Sequence, residues 1–204
     1  RSQVFLEKLH ARLGDRLVVI NKPNSGHGQS CLFGYREALR MGAEWIVQID
    51  SDGQCDPQYF HRLWRLRKQA DIVYGLRTRR DDGLRRLLAS MVLRIFLLVF
   101  FRVWCADSNV PYRLMHWSFV AKYVNSVPSD FSLANVAFAV LLAADPSCRH
   151  RYVPIRFRER YGGEPSVKMS LFGRKAFELR RQLHEMLAGA HPRREGSVCS
   201  TATS

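Results

Sequence analysis

Apolar and polar blocks follow one another along this chain with spacings that predict helices and strands in turn. Val4, Phe5, Leu9 and Leu13 fall on one side of a helix that Ser2 can cap and Gly14-Asp15 ends. Leu17-Val-Val-Ile20 is a short run of the buried-strand type, and a polar turn at 21–30 leads into a helix from Cys31 to Arg40. Gly42 breaks that helix. Trp45–Ile49 is the next strand, and Pro57–Gln69 reads as a helix with Phe60, Leu63, Trp64 and Leu66 inward. Asp71-Ile-Val-Tyr-Gly75 is the third strand. A β-α-β-α-β order implies a parallel sheet with right-handed crossovers.

The second half is more helical. Leu87–Phe101 is apolar around most of its circumference, interrupted by Ser90 and Arg94. As a helix it would be about 22 Å long, short of the ~30 Å hydrocarbon core of a bilayer. It is either a buried core helix or an interfacial one, with Arg94 and Arg102 snorkelling; the basic flanks favour the interface. The stretch from Asp107 to Met115 reads as a loop entering a short strand. Helices follow at His116–Val127 and Leu133–Leu142, then a strand at Arg151–Phe157, a basic loop at 158–168 and an amphipathic helix at Leu171–Leu187. Residues 1–190 are read as one domain, and the polar stretch 191–204 as a disordered tail.

The chemistry gathers at strand ends. The Trp45 strand stops at Asp50-Ser-Asp52-Gly-Gln54-Cys-Asp56-Pro57. Carboxylates at the carboxyl end of a strand in an α/β sheet face the crevice where ligands bind. Two hard oxygen donors side by side suit Mg²⁺ or Mn²⁺, which in turn suit a diphosphate. Asp56 ahead of Pro57 is placed to cap the next helix. The turn carrying Gly26 and Gly28 joins strand to helix in the arrangement by which backbone N–H groups hold an anion, or is a plain tight connection. After the third strand come Arg77, Arg79, Arg80, Arg85 and Arg86 at the mouth of the same crevice, a phosphate clamp or a solvated face.

Net charge is +14 over 204 residues, so an anionic partner is expected. Five cysteines without a Cys-x-x-Cys pair argue against a disulfide framework or a structural zinc site and fit a reducing, cytoplasmic setting. A basic nucleic-acid-binding module is the competing class. Its arginines would be expected to alternate with exposed aromatic platforms, which they do not, and no nucleic-acid partner is expected.

Taken in order, several motifs resemble the inverting family-2 glycosyltransferases of the GT-A fold, nearest to the dolichyl-phosphate mannose synthase and polyprenyl-phosphate glycosyltransferase branch. They are Asn24-Ser-Gly26-His-Gly28, Asp50-Ser-Asp52-Gly-Gln54-x-x-Pro57, Asp71-Ile-Val-Tyr-Gly75-Leu-Arg77, Arg86-x-x-x-Ser90, Asp107 ahead of Tyr112-Arg113, and Phe157-x-x-Arg160-x-x-Gly163 with Ser166 and Lys168. The resemblance implies a Rossmann-like parallel or mixed sheet flanked by helices. It implies metal contact at Asp50, Asp52 and Gln54, phosphate contact at Arg77 and Arg86, and donor closure by Arg160 and Lys168. The nucleotide-binding strands with which that family begins have no counterpart here, so the chain is expected to be a fragment lacking the first two strands and to bind donor poorly by itself.

The implied reaction moves a sugar from a nucleotide-diphosphate donor to a polyprenyl or dolichyl phosphate, at the cytoplasmic face of a membrane. A lipid phosphate arrives ionised and needs cations, not a base. A saccharide or protein hydroxyl would need one, and Asp107 is then the candidate, with Asp130 behind it; Asp107 equally suits holding an arginine. An inactive membrane-associated scaffold is the remaining alternative.

Overall fold

The computed structural model of the chain describes residues 2–80, 84–128, 131, 133–158 and 172–190. Helix α1 spans Ser2–Leu13 and tightens into a 3-10 turn at Gly14–Arg16. The strand expected at 17–20 does not form. Leu17 donates its N–H to the Gly14 carbonyl and its own carbonyl accepts from His10 Nδ1, so both groups serve the end of α1. Val18 and Ile20 stay exposed.

Helix α2, His27–Arg40, begins at His27 and not at Cys31. Gly26 makes the entry possible with φ +92°, and Asn24 Oδ1 accepts its N–H at 3.0 Å, closing a turn that feeds directly into the helix. Strand β1 is Trp45–Ile49, as the pattern predicts. The helix expected at 57–69 divides into a 3-10 turn at Pro57–Tyr59, α3 at Phe60–Leu66 and a second 3-10 turn at Arg67–Gln69. The change of pitch rotates the apolar face: Leu63 is buried, but Trp64 turns outward under the Arg67 guanidinium, 4.3 Å from its ring centre.

Strand β2 (Ile72–Arg80), helix α4 (Leu84–Phe101), strand β3 (Tyr112–His116) and helices α5 (Trp117–Tyr123) and α6 (Ala134–Ala144) come next, then strand β4 (His150–Phe157) and helix α7 (Phe172–Ala190). Helix α5 is shorter than the predicted 116–127, because Ser126 donates back to the Tyr123 carbonyl and tightens its end.

Among the described residues four strands form one sheet in the order β1-β3-β2-β4. Strands β1 and β2 run the same way, as the β-α-β pattern requires, but β3 lies between them, antiparallel to both. The wholly parallel arrangement expected from the first half is therefore replaced by a mixed sheet. Tyr112, Arg113, Leu114 and Met115 are all buried, and a strand covered on both faces needs partners at both edges for its backbone groups. Strands β2 and β4 pair in parallel, with a bulge between Arg77 and Arg79.

Helix α6 is buried over Ala134–Leu142 and fills the layer behind the sheet with α2 and α5. Asp145 ends it and accepts from Lys122, Tyr123, Ser147 and Cys148. Burial works to raise its carboxyl, but these donors outweigh it and hold the group well below the usual carboxylate range. On β2, Gly75 answers to close packing: an added Cβ would lie 2.8 Å from Ile155 Cδ1 and 3.3 Å from Tyr112 Cβ, both residues buried. Gly75→Ala is expected to destabilise the fold by about 1–3 kcal/mol, read as a lower denaturant midpoint at unchanged slope.

Candidate active site

The registers bring the carboxyl ends of β1, β2 and β4 and the amino end of β3 to one pole of the sheet. Asp50 and Asp52 follow β1, Arg77 lies near the end of β2, Asp107 precedes β3 and Arg158 follows β4. Sequence positions a hundred residues apart thus meet because the sheet is built that way.

The acidic turn crosses the sheet and is strapped down. Gly53, at φ +79°, lets the chain reverse, and Gln54 N–H closes back on Asp52 Oδ1 at 3.2 Å. Gln54 is buried and its Nε2 donates to the Arg158 carbonyl, while Arg158 N–H donates to the Gln54 carbonyl. Cys55 bridges to Phe157. Asp56 caps the 3-10 turn through Gln58 N–H, as its place before Pro57 predicts, and also takes the Arg158 guanidinium. The structure thus gives the Gln54 amide nitrogen the work of a strap.

Both acids are felt nearby. Burial pushes the Cys55 thiol up to about 12, and the Asp50 and Asp52 charges push the same way against Arg77. Asp50 Oδ1 lies 3.9 Å from His27 Nε2, at the first residue of α2, and His27 Nε2 lies 3.6 Å from Cys31 Sγ. Burial, then Asp50, raise the Cys31 thiol to about 11, so it is a neutral thiol at ordinary pH. Gly28 sits in the first turn of α2 and is buried, and Gly26 is its N-cap; the glycine turn therefore presents a helix start beside Asp50.

Among the described residues no group of three or more His, Cys, Asp or Glu side chains converges as a closed metal cage. Asp50 and Asp52 stand one residue apart in the turn after β1 and offer two carboxylates. That donor set fits Mg²⁺ or Mn²⁺, because such ions keep waters and complete their shell with substrate phosphates.

Arg77 and Asp107 meet each other. Nε and Nη2 of Arg77 donate to the two carboxylate oxygens at 2.6 and 2.5 Å, and the side chains are 7% and 8% exposed. Of the two roles open to Asp107 from sequence, the geometry is that of an arginine holder. Two of the five guanidinium N–H groups are used this way, leaving donors for an anion. The Phe157 ring lies beneath the guanidinium at 4.9 Å. Arg86 falls in the first turn of α4, with its side chain outside the described set. Asp130, Arg160, Ser166, Lys168 and the tail 191–204 lie outside the described residues.

A sequence profile described as Glycosyl transferase family 2 matches residues 1–109. The chain belongs to glycosyl transferase family 2. No curated protein matches it. The family-2 match takes in the glycine turn, the acidic turn, Arg77, Arg86 and Asp107. It makes this domain a glycosyltransferase and implies a nucleotide sugar as donor. A residue that sequence reasoning missed as a site element is Arg113, named only as part of a motif. It is wholly buried on β3, and an arginine inside an otherwise apolar strand was the available signal.

Helix α4 settles its own question of burial. Leu97 faces the core with Leu93, Phe96 and Phe101 beside it, while Leu88, Met91, Val92, Ile95, Leu98, Val99 and Phe100 are exposed. One side of the helix thus belongs to the core and the other is exposed. Arg94 does not extend outward: it donates to the Ala106 carbonyl and lies 5.4 Å from the centre of the Trp104 ring. No helix among the described residues is long and apolar enough to cross a membrane.

Proposed function

We propose that this domain is a metal-dependent inverting glycosyltransferase that moves a sugar from a nucleotide-diphosphate donor to a polyprenyl phosphate, working at a membrane surface. The observation that carries the reading is the meeting of the Asp50–Asp52 turn and the Arg77–Asp107 pair at one pole of the sheet, in a domain whose helix α4 exposes an apolar face. Breaking the donor puts negative charge on the departing diphosphate. A divalent ion held by Asp50 and Asp52 would supply Lewis-acid stabilisation of that charge.

The chain's own groups do the rest. Arg77, oriented by Asp107, presents its remaining N–H groups to phosphate oxygens in the fork geometry that guanidinium offers. Arg86 opens α4 at the same pole, where a second anion would arrive. A phosphate acceptor is already ionised and needs no proton removed. The Arg77–Asp107 pairing supports that choice over a hydroxyl acceptor, since it occupies the first of the two carboxylates named as a base.

Helix α4 supports the lipid half. Ile95 is 57% and Val99 65% exposed, in a row too apolar for a solvated face. With a strongly basic chain around it, this face suits the interface of an anionic bilayer. Sedimentation with phosphatidylglycerol vesicles tests it. The chain is expected to pellet with them, and Ile95→Asp combined with Val99→Asp to stay in the supernatant while folding normally. Equal pelleting of both proteins would remove the membrane from the proposal. Transfer from GDP-mannose, UDP-glucose or UDP-N-acetylglucosamine to undecaprenyl phosphate in those vesicles tests the reaction, and transfer only to free saccharides would favour the hydroxyl-acceptor reading.

A further inference from the structure

Arg113 is 0% exposed, the second residue of β3, opposite Gln48 on β1 and Tyr74 on β2. A buried guanidinium is costly to desolvate and is ordinarily matched by a carboxylate. Here its partners are main-chain carbonyls: Nε donates to Val110 at 2.8 Å and Nη2 to Ser108 at 2.8 Å, and the Tyr74 ring centre lies 5.0 Å away. Its Nη1 is buried without a hydrogen-bond partner among the described residues. An ion held at that cost with no counter-ion among the described residues is poorly explained as a stabilising pair. What it does accomplish is local: it reaches back across its own entry turn and holds two of the carbonyls that follow Asp107, those of Ser108 and Val110. The same turn touches the acidic side, where Cys55 Sγ approaches the Pro111 carbonyl at 3.9 Å.

We infer that Arg113 is a positioning residue, which locks the 107–111 turn so that Asp107 holds Arg77 at a fixed place beside the Asp50–Asp52 turn. The inference rests on the reading of Arg77 and Asp107 given above. Its action runs through geometry and involves no contact with substrate. Lysine would not replace it, because a single ammonium lacks the planar fork that spans two carbonyls.

The test uses the full chain in two measurements. In hydrogen exchange, the amides of Ser108–Val110 are expected to exchange faster in Arg113→Met and Arg113→Lys than in the wild type, with β2 and β4 unchanged. In transfer from the nucleotide sugar that proves active to undecaprenyl phosphate, each variant is expected to lose about 10- to 100-fold in kcat at unchanged donor KM, the scale of an ångström misplacement. In an Asp107→Asn background the same substitutions are expected to add nothing, because the residue they act through is already gone. Unchanged exchange in the 108–110 turn overturns the inference whatever the activity. So do losses that multiply with Asp107→Asn, which would mark a merely structural residue. Should Arg113→Met fail to fold, Arg113→Lys carries both measurements. Faster exchange together with an Asp107→Asn single variant of wild-type activity would instead overturn the role given to Asp107, and the catalytic half of the inference with it.

Discussion

Asp50→Ala and Asp52→Ala are each expected to reduce metal-dependent transfer by roughly a thousandfold, the scale of losing a preorganised stabiliser of developing charge. Asp50 and Asp52 are the two carboxylates assigned to the metal, so either loss leaves only one of them. Neither change should unfold the protein. Asp50 is partly exposed, and the turn keeps its strap through Gln54, Cys55 and Arg158. Initial rates with Mn²⁺ or Mg²⁺ at saturating donor, read beside a melting curve, separate the two effects. Near-normal turnover in both variants would falsify the metal assignment, and with it the reading of the acidic turn as the place where the diphosphate departs.

The second large effect falls on stability. Arg77 and Asp107 are nearly out of solvent and satisfy each other through two short bonds. Removing one partner strands the other as a buried charge, and Arg77→Ala or Asp107→Ala alone is expected to cost about 3–5 kcal/mol, a large share of a domain's net stability. Arg77→Met with Asp107→Leu, which removes both charges and keeps volume, should recover most of that loss while leaving transfer abolished. Denaturant unfolding of the four proteins in a cycle measures the coupling. Single variants that unfold like the wild type would mean that the pair is solvated, and that Arg77 is not held where the mechanism needs it.

Much of this was legible in the chain before the structure. Trp45–Ile49 is a strand from residue to residue, because an apolar run bounded by Gly42 and by two acids leaves little choice, although as an edge strand it is half-exposed, with Val47 and Ile49 outward, and not buried as its composition suggests. Asp56 caps the turn at Pro57 for the reason its type and place suggest. What could not be read was pairing. Leu17–Ile20 has the composition of a strand, yet a strand needs a neighbour, and those backbone groups close the end of α1. The insertion of β3 between β1 and β2 depends on a segment seventy residues further on, outside any local pattern. The same held for the site. The acids and arginines stood out by type and spacing, but the clasp between Arg77 and Asp107 needed a sheet to bring them within reach. Arg113 showed only as an oddity, a charge in a row of apolar residues, until its carbonyl partners gave it a purpose.

The acidic turn starts from one edge strand, β1, and is fastened at the tip of the other, β4, so it arches over the ends of β3 and β2 like the handle of a pail. A handle moves with both of its hinges. A displacement of the β4 tip is therefore expected to be felt first in the acidic turn, through the Gln54–Arg158 bonds and the Cys55–Phe157 pairing.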